Sequence, residues 1–195
     1  VYVSIDRGVT FNAMKGNLPN VPVHDLAVHP TANELILGTH GRSIYIADIT
    51  LIQKYKQIAG QNKIHIFDIE NVNYSPNWGN RNFDWNYTKP KDMAIPFYCN
   101  EKQKLNVTIF TADNVKVYEE ENTFESGINF IKYDLTVKEN LLDTFKENLK
   151  KINKTEIPVK DDKKVYLTEG KYFVQISGNS GVLRKEFEVK RKHSP

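Results

Sequence analysis

Cysteine is nearly absent from these 195 residues, and the single Cys99 excludes an internal disulfide. A cysteine-based metal site goes with it. No apolar run approaches the roughly 20 residues that cross a bilayer as a helix. Neither charge sign dominates, because 27 Lys and Arg stand against 24 Asp and Glu for a net charge of +3. The lysines are interspersed with acids, so no basic stripe offers itself to nucleic acid. The chain opens at Val1 without an initiator methionine, which leads us to expect a piece of a longer polypeptide or a processed form. What the sequence has in quantity is aromatic and β-branched residues. Aromatics at 11% favour an all-β chain. Cys99 closes the apolar run Ile95-Pro96-Phe97-Tyr98-Cys99, the setting of a packed thiol rather than a nucleophile.

The most informative stretch is Ser4-Ile5-Asp6-Arg7-Gly8-Val9-Thr10-Phe11, with the pattern S-x-D-x-G-x-T-F. It suits a tight turn between antiparallel strands. Asp6 can accept hydrogen bonds from turn amides. Gly8 can take a positive φ that other residues resist. Ser4 offers a hydroxyl, and Phe11 can cover the turn. Strands are expected at 1–4, 10–15, 23–29, 34–39 and 43–48. Turns at Pro30-Thr31-Ala32-Asn33 and His40-Gly41-Arg42 separate the last three. Short strands at such intervals predict a meander.

The pattern around Ser4, Asp6, Gly8 and Phe11 resembles the Asp-box of BNR-repeat β-propellers. The stretches Leu18–Pro30 and Leu35–Ile46 resemble the last blades of sortilin/VPS10-like members of that group. The resemblance implies that residues 1–50 hold about one and a half blades. The Asp-box there is structural. A ring of roughly 4–8 blades cannot close from that much chain. The rest of the propeller is therefore an expected partner. In such a blade the Asp-box turn and the Pro30 turn share one face, and residues 16–22 and 40–42 share the other. Ligands of similar propellers usually bind on that second face, which makes His40 and Arg42 the first ligand-binding candidates and Asn17 and Asn20 the next. His24, Asp25, His29 and His40 also invite a metal or triad reading. Adjacent His24 and Asp25 point to opposite faces of a strand, and no Ser or Glu is spaced to complete a catalytic set. No catalytic residue, metal ligand or cofactor is assigned.

Residues 51–90 read as a connector. Leu51, Ile52, Tyr55 and Ile58 have helical spacing, ended by Gly60. A strand is expected over 63–69. An aromatic, Asn-rich segment comes next, in which Trp78 and Trp85 could stack on a sugar or pack between domains. Residues 91–195 read as an antiparallel β-sandwich of Ig-like type, with strands at 94–99, 104–111, 116–119, 127–135, 170–177 and 183–190. Leu105–Tyr118, Ser126–Leu135 and Leu167–Ile176 resemble the FlgD-like, secretion-associated Ig modules of Bacteroidota proteins. Tyr133 stands where that segment usually carries Trp. An insertion at 137–164 carries Leu141, Leu142, Phe145, Leu149 and Ile152 at helical spacing, which predicts an amphipathic helix against the sandwich or against a partner.

The overall expectation is an all-β chain: terminal blades of a β-propeller, then an Ig-like β-sandwich with a helical insertion. The function expected from the resemblance is that of the non-catalytic C-terminal part of an exported propeller protein binding protein or glycan. A BNR-repeat glycoside hydrolase with its active site in upstream blades is one alternative. A structural subunit of a cell-envelope assembly is another.

Overall fold

The computed structural model describes residues 1–4, 7–13, 20–41, 43–58, 63–83, 86–151, 159–179 and 181–191. Strands account for 51% of the structure and helices for 12%. The chain divides into two compact units, Val1–Gln61 and Asn62–Pro195.

In the first unit, β1 (Tyr2–Val3) and β2 (Asn12–Ala13) pair antiparallel across the turn that follows Ser4. The turn takes the left-handed conformation at Arg7 and Gly8, with φ of 63° and 88°. Glycine adopts that region without a steric cost, which is why the pattern needs it. The Gly8 amide donates to Ser4 Oγ at 2.7 Å and so closes the turn. Next in the chain is a three-stranded meander, β3 (Val23–Val28), β4 (Glu34–Thr39) and β5 (Ile44–Asp48), with β4 in the centre. Its tight Pro30 turn is held by His29, whose Nδ1 accepts from the amides of Thr31 and Ala32 at 3.3 and 3.1 Å. Asp48 Oδ1 accepts from the Thr50 amide at 2.7 Å and starts α1 (Thr50–Ile58).

Cross-strand partners share a face of a sheet. One face of this meander carries Leu26, Val28, Leu35, Leu37, Tyr45 and Ala47, and the other carries Ala27, Ile36, Ile44 and Ile46. Leu35 and Leu37 are buried with Ile49, against Val1, Val23, Tyr45, Ala47 and Ile52. Apolar side chains nevertheless remain exposed on both faces. Leu26 and Val28 are 56% and 53% exposed on one, and Ile44 and Ile46 are 67% and 63% exposed on the other.

The second unit has two main sheets. One holds β6 (Ile64–Ile66), β10 (Met93–Cys99) and β13 (Gly127–Tyr133), in the order β13-β10-β6. The other holds β7 (Val72–Tyr74), β11 (Gln103–Thr111), β12 (Lys116–Phe124), β14 (Gly170–Gly178) and β15 (Gly181–Arg191), in the order β12-β11-β14-β15-β7. A small hairpin, β8 (Arg81–Phe83) and β9 (Asn86–Tyr87), stands apart from both. Alternation along the strands feeds one core shared by the main sheets. Met93, Ile95, Phe97 and Cys99 come from β10, Leu105, Val107 and Ile109 from β11, and Val174 and Ile176 from β14. Edge-to-face rings link the sheets, Phe97 on Phe124 at 4.8 Å and Tyr118 on Tyr133 at 5.0 Å.

The chain divides after Gln61, within the connector expected over 51–90, and the later strands of that stretch pair within the second unit. β6 pairs with β10, and β7 pairs parallel with β15. The strand expected over 116–119 runs on to Phe124, paired with β11 down to Gln103. The expected helix is present as a 3-10 turn, Glu139–Leu141, leading into α2 (Leu142–Lys151). Its apolar stripe is committed to this unit's own core, since Phe145 and Leu149 are buried there and Leu141 and Leu142 pack against it. Ile152 lies outside the described residues.

Candidate functional site

The loop end of the meander holds the first candidates. Gly41 and Ser43 both take positive φ, 73° and 92°. Thr39 closes the turn, with its Oγ1 donating to the Ser43 carbonyl at 2.6 Å. The His40 amide donates to the Pro22 carbonyl at 3.1 Å, which brings the 40–41 turn beside the start of β3. The register between β3 and β4 slips at His24, between Val23 and Asp25. A bulge of this kind re-aims a side chain. The His24 and His40 rings lie 5.1 Å apart, centroid to centroid, and both residues are exposed. Asn20 is exposed near this end. Arg42, Asn17 and Asp6 lie outside the described residues. Phe11 is exposed, yet its ring stays 3.9 Å from the Cβ position of Gly8, beside the turn.

The two tryptophans separate. Trp85 lies outside the described residues. Trp78 is only 5% exposed and belongs to the core of the second unit. Its ring packs edge-on to Tyr74 at 5.4 Å and against Tyr166 at 6.1 Å. The indole is therefore buried in protein packing. Of the two readings of Trp78, stacking on a sugar or packing, its burial accords with packing.

A cleft of about 580 Å³ in the second unit gathers ionisable groups that the sequence does not single out. It is lined by Asp92, Tyr118, Glu120, Lys132, Asp134 and Lys138 among others. Tyr118 OH donates a short hydrogen bond to Glu120 Oε2. Asn122 Nδ2 donates to Glu120 Oε1 at 2.9 Å, and Lys138 Nζ donates to Oε2 at 3.2 Å. These bonds, led by that of Tyr118, pull the Glu120 carboxyl down to about 2. Lys138 also sits 4.7 Å above the Tyr118 ring, a cation–π contact. Asp134 accepts from Lys164 Nζ at 2.8 Å and from Thr136 Oγ1 at 2.6 Å. Burial alone would raise Asp134, but the Lys164 and Thr136 bonds outweigh it and leave the carboxyl lowered. Tyr133 OH, fully buried, donates to the Thr136 carbonyl at 2.8 Å, and desolvation holds its phenol well above the ordinary range.

This arrangement keeps Glu120 and Asp134 ionised and neutralised by lysine. A general acid at neutral pH needs the opposite, a carboxyl whose pKa is raised. Cys99 behaves likewise as a structural group. Its Sγ donates to the Glu125 carbonyl at 3.0 Å, and burial pushes the thiol up, away from nucleophilic character. The period-two spacing of Tyr118 and Glu120 on one strand is the one local signal for the cleft. Asp134 and Lys164 are 30 residues apart, and no local pattern joins them. Among the described residues, no group of three or more His, Cys, Asp or Glu is placed to hold a metal ion. No helix among them is long and apolar enough to cross a membrane.

The chain was compared with known proteins: no family model matches it, and no curated protein sequence matches it.

Proposed function

We propose that this chain is a non-catalytic, C-terminal portion of an exported BNR-repeat propeller protein that binds protein or glycan. In this reading, residues 1–50 are terminal blades and the second unit is an Ig-like spacer or docking module. One observation carries it. The β3-β4-β5 meander exposes large apolar side chains on both faces, Leu26 and Val28 on one and Ile44 and Ile46 on the other. A sheet that ends a soluble domain keeps one face polar, whereas a sheet buried on both faces reads apolar on both. A propeller blade is of the second kind, stacked between neighbours. The closed Ser4–Gly8 turn on the preceding hairpin supports the same reading. The ligand-facing end is then that of His40 and Asn20. The carboxylates of the second unit's cleft, Glu120 held low chiefly by the Tyr118 hydrogen bond and Asp134 by those of Lys164 and Thr136, do not favour a glycosidase acid here.

The test is to place a charge on each meander face in the native polypeptide. Ile46→Lys and Leu26→Lys should each destabilise it by at least the roughly 1.5–3 kcal/mol that burial of such a side chain contributes. Thermal unfolding unchanged by both substitutions would sink the proposal, because faces left in water tolerate lysine.

A further inference from the structure

We propose that His24 and His40 form a two-histidine site for a divalent transition metal of the Zn²⁺, Ni²⁺ or Cu²⁺ class. The inference rests on the histidines' own geometry and stands whether or not the meander is a propeller blade. Neutral imidazole is a preferred donor to these ions. Two imidazoles bound side by side to one tetrahedral ion, with metal–nitrogen bonds of about 2.0–2.1 Å, place their ring centroids about 5 Å apart. The observed centroid separation is 5.1 Å, with a tilt of 31° between the rings.

The backbone holds the pair without help from a metal. His40 is pinned by the hydrogen bond that its amide donates to the Pro22 carbonyl, and His24 stands at the register slip between β3 and β4. Both side chains are open to water, so solvent can complete the coordination shell and the ion has a path in. The other described histidines are occupied differently. The Nδ1 lone pair of His29 accepts from two amides of its own turn. His65 packs edge-on against Phe67 at 5.1 Å. Two protein ligands leave open positions on the ion. A bound metal would therefore tie the start of β3 to the end of β4, and it would present a Lewis-acidic centre on the loop end where His40 and Asn20 are exposed.

The test uses the full chain and the metal alone. Calorimetric titration with Zn²⁺ should give one saturable site of micromolar affinity. His24→Gln and His40→Gln should each weaken it by about tenfold or more, a loss on the order of 1.4 kcal/mol per factor of ten. His29→Gln should leave it unchanged. In the unsubstituted protein, substoichiometric Cu²⁺ should broaden the imidazole NMR signals of His24 and His40 before those of any other histidine. Absence of saturable binding below millimolar metal would overturn the proposal. So would binding retained in the double variant, or broadening that begins at another histidine.

Discussion

Gly79 shows how much one missing side chain can settle. Its φ is 74°, and a Cβ there would meet Lys160 Cβ and Tyr166 Cε2 at 2.6 Å and Asp162 Oδ1 at 2.8 Å. The surrounding loop is stitched by main-chain bonds from Gly79 to Thr88 at 2.6 Å and from Asp162 to Gly79 at 3.1 Å. Little there can give way. Gly79→Ala should cost roughly 2–4 kcal/mol in denaturant unfolding, from backbone strain and overpacking together. Gly127 also has a positive φ but has nothing within 4 Å of its Cβ position, so Gly127→Ala should cost less than half as much. The Tyr118–Glu120 bond makes a separate residue-scale prediction. Glu120 titrates at about 2 in the folded protein against an ordinary 4.5. A depressed folded pKa contributes stability that is present above the ordinary value and is lost as pH falls toward about 2. Tyr118→Phe removes the leading bond, so the Glu120 pKa should rise in an NMR titration and the loss of stability below pH 4.5 should shrink. An unchanged Glu120 titration would show that Lys138 and Asn122 alone hold the carboxylate.

At the scale of elements, strong periodicity is legible in the sequence and pairing over distance is not. Gln103–Thr111 alternates Leu105, Val107 and Ile109 with Asn106 and Thr108, and the strand is plain from the sequence. The helix over Leu142–Lys151 is equally plain, because Phe145 and Leu149 repeat at four residues. β6 and β7 are three residues each, and their partners lie in β10 and β15, far along the chain. The alternation over 63–69 marks β6, but no local signal marks β7 or the distant partner of either strand, so the segment that holds them reads as a connector. The full length of β12 is hidden for a related reason. Glu119-Glu120-Glu121-Asn122 looks like solvated loop, yet charge suits an edge strand and guards it against further pairing. Lys104 meets Glu121 across that edge at 2.6 Å. The cleft has little signature in the sequence because its ion pairs join separate elements. Composition around Trp78 cannot tell a buried indole from an exposed one. Trp78→Ala should cost roughly 3–5 kcal/mol as a core deletion, and Phe145→Ala a similar amount, both measured by denaturant unfolding. Glu147→Ala on the exposed side of α2 should be near neutral.

At the scale of the molecule, the two units differ in how far each satisfies itself. The second unit has one core that draws on both sheets and the helix. The meander of the first unit buries Leu35, Leu37 and Ile49 but leaves Leu26, Val28, Ile44 and Ile46 open on both faces. Those faces have the character of surfaces stacked against like sheets, which is the core of the propeller proposal. The measurement that tests it most directly is the intact mass of the native polypeptide under denaturing conditions. The proposal predicts a mass several times the 22.5 kDa of this chain, with the remaining blades in the same polypeptide. A native mass of 22.5 kDa would contradict it.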